Sequence, residues 1–89
     1  MIKLNQENYR RLLSGMGSNI RAARLSKGWI QSDLAFKFGC SRQYISQLER
    51  GKKGVSVANL AILAKLLEID AKEFFSGISL IDPQGDEPN

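Results

Sequence analysis

The sequence predicts an all-α fold, and three observations carry that expectation. Apolar residues recur at helical spacing along most of the chain. No run alternates apolar and polar residues for long enough to make a strand. Ser, Asp and Gly fall where helices would start and stop. No internal repeat accompanies the pattern.

Element by element, "LNQENYRRLLSGM" sets Leu4, Tyr9, Leu12, Leu13 and Met16 at mixed helical spacings, which predicts an extra N-terminal helix. Gly15 and Gly17 are expected to break it. Ser18 then caps a second helix that runs to about Lys27, with Gly28 as its stop. Trp29 and Ile30 lead into a short helix from Gln31 to about Phe38, closed by Gly39. Ser41 caps the next helix, which extends to Arg50 and stops at Gly51. Beyond a "KKG" loop, Ser56 caps a longer helix from Val57 to about Glu68, and Asp70 caps a short final one, "DAKEFF". The end, "SGISLIDPQGDEPN", is expected to fray after Ile81. The expected organisation is an N-terminal extension over 1–16, a central domain over 17–76 and a tail over 77–89.

Composition narrows the function classes. Eighty-nine residues make one domain, and 43% hydrophobic with 25% charged residues reads as soluble and globular. No apolar run approaches the roughly 20 residues of a membrane span. "MIKLNQENYRRLL" lacks the apolar block of a signal peptide, so a cytoplasmic location is expected. The single cysteine, Cys40, rules out an internal disulfide and a cysteine-based zinc site. Histidine is absent, which removes the commonest general base and metal ligand. "GMGSNI" at 15–20 ends in Ile20 and fails the dinucleotide fingerprint at its third glycine. No enzyme, metal, cofactor or small-molecule ligand is expected.

The net charge of +4 is unevenly spread. Residues 17–54 hold eight basic and two acidic side chains, whereas residues 55–89 hold two basic and six acidic ones. The first two-thirds of the chain would attract a polyanion and the last third would not. On the helix capped by Ser41, 100° spacing groups Tyr44, Ile45 and Leu48 on an apolar side. Arg42, Gln43, Ser46, Gln47 and Arg50 share the opposite arc, and Glu49 falls at the border. A merely solvated face would interleave Glu with Lys. This arc instead carries the groups that pair with purine edges and phosphates.

The preceding short helix puts Leu34, Ala35 and Phe38 on one side, and only Gly39-Cys40-Ser41 separates it from the next. Two short helices joined by so tight a turn make a helix-turn-helix arrangement, with Gly39 supplying the positive φ and Ala35 a close crossing. Arg24 falls on the side of Ile20 and Ala23, where an arginine must reach solvent or a carboxylate. Glu49 is the acid placed in a matching way, so Arg24 and Glu49 are expected to form a partly buried ion pair.

These residues together resemble the phage-repressor-like helix-turn-helix family, the Cro/CI or XRE type. The resemblance covers 20–75 and rests on Ile20, Arg21, Arg24 and Gly28, on Gln31, Leu34 and Ala35, on "SRQYISQLERG", and on Leu60, Leu63, Ala64 and Phe75. "YISQLERG" also looks like the restriction-modification controller branch. The resemblance implies a lambda-repressor-like five-helix domain that binds double-stranded DNA as a homodimer on a palindromic operator, as a transcription regulator. It implies that helix 41–50 lies in the major groove, with Arg42, Gln43, Ser46 and Gln47 reading base edges. Gln31, Ser41, Tyr44, Arg50, Lys52 and Lys53 would contact the phosphate backbone. Ile30 departs from the family's Ser, Thr or Asn and lacks an N-cap oxygen, a loss of about 1 kcal/mol.

The helix from Val57 is apolar nearly all round. Val57, Leu60, Ala61, Leu63, Ala64 and Leu67 make one broad face, and Ala58, Ile62, Leu66 and Ile69 a second. Ile62, Leu66 and Ile69 are expected at a twofold dimer interface, unless the N-terminal helix or the tail covers them. Trp29, Phe38, Phe74 and Phe75 are expected in the core, and Phe36 against the N-terminal segment. An antitoxin-type interaction module with secondary DNA binding is the alternative, which a stoichiometric partner in a pull-down would favour.

Overall fold

The computed structural model describes residues 4–82. Four α-helices follow one another: α1 (Gln6–Ser26), α2 (Gln31–Phe38), α3 (Arg42–Glu49) and α4 (Val57–Leu67). A 3-10 helix, Ala71–Phe75, closes the series, and there is no strand among the described residues. The all-α expectation holds, α2 starts at Gln31 as expected, and the starts of α3 and α4 fall where Ser41 and Ser56 cap them.

The N-terminal part differs. The break expected at Gly15 and Gly17 and the start expected at Ser18 are absent, because α1 is one continuous helix of 21 residues. Asn5 caps it, its side-chain oxygen accepting from the Asn8 N–H at 2.8 Å. A glycine inside a helix costs about 1 kcal/mol against alanine, but these two sit where neighbours leave no room for a side chain. A Cβ on Gly17 would stand 2.3 Å from the Leu48 carbonyl oxygen, and one on Gly15 would stand 2.4 Å from Ile78 Cγ1. Both glycines are packing residues and not punctuation.

The segment after the 3-10 helix runs back along α1. The Asn19 amide donates to the carbonyls of Phe74 and Ser76 at 2.8 and 2.9 Å. Asn8 is fully buried. Its amide donates to the Ile81 carbonyl at 2.8 Å and its carbonyl accepts from the Ile81 N–H at 2.7 Å. This bonding satisfies a buried amide from the backbone of a distant segment. The expected fraying beyond Ile81 concerns residues of which 83–89 lie outside the described ones, as do residues 1–3.

Ile20, Leu34, Ile45, Leu63, Leu67 and Phe74 form the centre of the core, each at most 2% exposed. α3 packs between α1 and α2, and α4 closes the other side of α2. Two aromatic expectations fail. Phe36 is 88% exposed and meets no described part of the N-terminal segment, because that half of α1 runs past the α3–α4 loop, where Gly51 abuts Ser14. Phe75 is 47% exposed, since the 3-10 helix turns Phe74 inward instead. On α4 the broad face is narrower than expected. Leu60, Leu63, Ala64 and Leu67 are buried, but Val57 and Ala61 face solvent.

Candidate nucleic-acid interface

The turn between α2 and α3 is set by local chemistry. Gly39 adopts φ 84° and ψ 38°, the left-handed region that glycine enters without a Cβ penalty. Its N–H and that of Cys40 both donate to the Ala35 carbonyl, at 2.8 and 3.0 Å. The Ser41 hydroxyl then accepts from the Tyr44 N–H at 3.1 Å and starts α3. Ala35 is buried at the crossing, so the two helices approach closely.

α3 buries Ile45 and Leu48 and leaves its polar arc outward. Arg42, Gln43 and Arg50 are exposed, while Ser46 and Gln47 are half-buried. Just beyond, Gly51 at φ 70° turns the chain, the Lys52 N–H donates to the Gln47 carbonyl at 2.8 Å, and Lys52 and Lys53 face solvent. Ser41 is exposed and Tyr44 half-buried at the N-terminal end of the same helix. No acidic side chain occupies the first turn of α3. The arc therefore offers cations, amides and hydroxyls without a carboxylate among them.

A buried network fixes the helix that carries this arc. Arg24 Nε and Nη2 donate to the two oxygens of Glu49 at 2.7 and 2.9 Å, and Nη1 donates to the Trp29 carbonyl at 2.7 Å. Both side chains are nearly inaccessible, at 7% and 2%. The bond to Glu49 raises the Arg24 pKa, against the opposing effect of burial. The Gln31 amide donates to Glu49 Oε1 at 3.1 Å, and the Gln31 carbonyl oxygen accepts from Arg42 Nη1 at 3.1 Å. A continuous path of hydrogen bonds thus runs from α1 through the first residue of α2 to the exposed start of α3. Sequence spacing pointed to Arg24 and Glu49 but carried no signal for Gln31 as the link to Arg42, because that link joins residues 11 apart across the turn.

At the α2 N-terminus, Ile30 makes no side-chain cap, and the Asp33 carboxylate accepts from the Ile30 N–H at 2.9 Å instead. Half of a capping box is therefore present despite the missing hydroxyl. Cys40 is half-buried beside the turn, and burial pushes its thiol pKa up, away from the reactive thiolate range. Lys37 Nζ lies 4.9 Å from the centroid of the Trp29 ring, a cation–π contact that covers the indole. Ile62 is 49% exposed, with Leu66 and Ile69 half-buried beside it. Neither α1 nor the described part of the tail, which lies along α1, covers Ile62.

Comparison with known proteins agrees with this geometry. The helix-turn-helix family model matches residues 20–74. The restriction-modification controller protein C.AhdI from Aeromonas hydrophila is 40% identical, over 71% of this chain and 96% of that one, with a TM-score of 0.66. The restriction-modification controller protein C.Esp1396I, solved as a tetramer in complex with its natural 35 base-pair operator, is 37% identical over 75% of this chain and 88% of that one, with a TM-score of 0.64. The hypothetical transcription factor NHTF from Neisseria is 30% identical and takes in the N-terminal part as well, over 94% of this chain and 88% of that one, with a TM-score of 0.66. With α2, the Gly39 turn and α3 in place and most of the chain matched, this protein belongs to the helix-turn-helix family of DNA-binding transcription regulators, the XRE type.

Proposed function

We propose that the protein is a sequence-specific regulator that binds a palindromic operator as a homodimer, with α3 in the major groove. The observation that carries this reading is the acid-free outer arc of α3, held rigidly by the buried Arg24–Glu49 pair. A major groove about 12 Å wide admits one such helix. Arg42, Gln43, Ser46 and Gln47 then face base edges, where an arginine pairs bidentately with guanine and a glutamine with adenine. Gln31, Ser41, Tyr44, Arg50, Lys52 and Lys53 flank them toward the phosphates. Contacts there hold the register and contribute salt-dependent affinity without choosing sequence.

Twofold pairing through Ile62, Leu66 and Ile69 complements this reading. Ile62 and Leu66 form a partly exposed apolar stripe on α4, continued by Ile69 just past its end, on a helix whose other side is already buried in the core. A dimer would set two copies of α3 about 34 Å apart, one turn of the duplex.

Selection of bound DNA from a random pool by the purified protein tests the proposal. The enriched sequences should contain two inverted half-sites about 10 base pairs apart, centre to centre. Recovery of unenriched DNA, or of a lone half-site bound by a monomer, would overturn it.

A further inference from the structure

We infer that the N-terminal half of α1 carries a second contact with the DNA backbone, in the groove where it meets the α3–α4 loop. The inference rests on the reading of α3 as the major-groove helix. The groove, about 520 Å³, is lined by Arg10, Arg11, Ser14, Arg50 and Lys52, with Ser79 at its edge. The family pattern begins at residue 20, so Arg10, Arg11 and Ser14 come from outside the shared domain.

Continuity with the arc of α3 argues for duplex DNA as the occupant. Arg42, Ser46 and Arg50 follow one another at four-residue steps, a single stripe about 12 Å long on the helix. The groove begins at Arg50, where that stripe ends, and Lys52 and the α1 arginines extend the positive surface beyond it. A helix seated in the major groove has a phosphate strand along each wall, so a basic surface prolonging one end of the helix meets the backbone next. The close approach of Gly51 to Ser14 holds the two elements together, so the four cations act as one surface.

The arginines are arranged to receive an anion. Arg11 is held by Glu7 Oε2 at 3.1 Å and by the Ser79 carbonyl at 3.3 Å. Arg10 also pairs with Glu7. The Arg10 side chain is 72% exposed and that of Arg11 35%. Glu7 offsets part of the positive charge and lowers the entropy lost on binding by restraining both guanidiniums. A guanidinium's planar donors match a phosphate bidentately. Such a site adds affinity that rises as salt falls and reads no base.

Salt titration of binding to a mixed-sequence DNA duplex of about 30 base pairs, long enough for two half-sites, tests this. Arg10→Gln should reduce the slope of log affinity against log salt by about 0.9, one phosphate contact. The ratio of affinities for selected and mixed sequences should stay unchanged, and Arg10→Lys should restore most of the slope. Ser14→Asp, which puts a carboxylate in the groove and leaves both arginines in place, should weaken binding with the same uniformity. If the wild type binds the duplex and Arg10→Gln and Ser14→Asp both keep its slope and affinity, the groove contact is overturned and the α3 reading stands. If the wild type shows no salt-dependent duplex binding, both fall. If inorganic phosphate alone raises the wild-type melting temperature, Arg10→Gln abolishes that rise and the duplex slope is unaffected, the groove takes free phosphate and the DNA contact is overturned.

Discussion

Gly17 lies against the backbone of Leu48, where α1 crosses the last turn of α3, and no side chain fits between them. Alanine is the better helix former by about 1 kcal/mol, so an isolated helix would gain from Gly17→Ala. In this protein the added methyl meets two backbone carbonyls that cannot turn aside, those of Leu48 and Glu49. Gly17→Ala should therefore lose about 1–3 kcal/mol in urea unfolding, as overpacking does. Gly15→Ala should lose less, because the atoms it meets belong to the flexible Ile78 side chain. A Gly17→Ala variant more stable than the wild type would mean that the crossing is looser than described.

The Arg24–Glu49 pair should show strong coupling. Arg24→Met leaves the Glu49 carboxylate buried without its main partner, at a cost of about 3–5 kcal/mol. Arg24→Met with Glu49→Leu removes both charges and should recover most of that loss. A double-mutant cycle by chemical unfolding measures the difference. Additive single effects would show that the two side chains do not depend on each other.

Lys52 and Gln43 should separate in binding experiments. Lys52→Ala should weaken binding to every duplex alike and flatten the salt dependence by about one unit. Gln43→Ala should relax preference at one base pair per half-site, by about 1–3 kcal/mol of discrimination. Equal losses on all sequences for both variants would refute the division of roles.

Charged residues on the α4 stripe should separate folding from assembly. Ile62→Glu with Leu66→Glu should give a monomer by analytical ultracentrifugation with helical content intact, because Ile62 faces solvent and Leu66 only partly leaves it. Operator affinity should fall with the loss of the second half-site. A dimer that survives the change would move the interface elsewhere.

Cys40 gives the protein an alkaline limit. Burial raises its thiol pKa above the ordinary 9.0, so the fold favours the protonated form. Its contribution is fully present below the unfolded value and is lost as pH rises through the folded one, because the unfolded chain then releases the proton more readily. Melting temperatures should fall more steeply for the wild type than for Cys40→Ala as pH rises above the ordinary thiol value. Identical pH profiles would remove the thiol from the account.

Apart from the Arg24–Glu49 pair, what the sequence made legible was local. Gly39, Ser41 and Ser56 act through hydrogen bonds to residues within four positions, so helix ends could be placed from neighbours alone. The solvent-facing arc of α3 likewise follows from 100° spacing. Gly15 and Gly17 were misleading because their reason lies in Ile78 and Leu48, more than 30 residues away in the chain. Gln31 gave no hint of its bridging position, since an amide suits a helix start with or without a partner. Phe36 shows the limit of counting apolar residues. An aromatic ring off the packed side of α2 stays in solvent when no element passes over it.

The bonds between Asn8 and Ile81 join residues 73 apart in the chain. During synthesis, the domain residues from α2 through Phe74 leave the ribosome before Ile81 does. Asn8 therefore waits for a residue made 73 positions later before these two bonds can form. A nascent chain that stops short of Ile81 would lack the backbone partner that Asn8, in the first turns of α1, bonds in the fold.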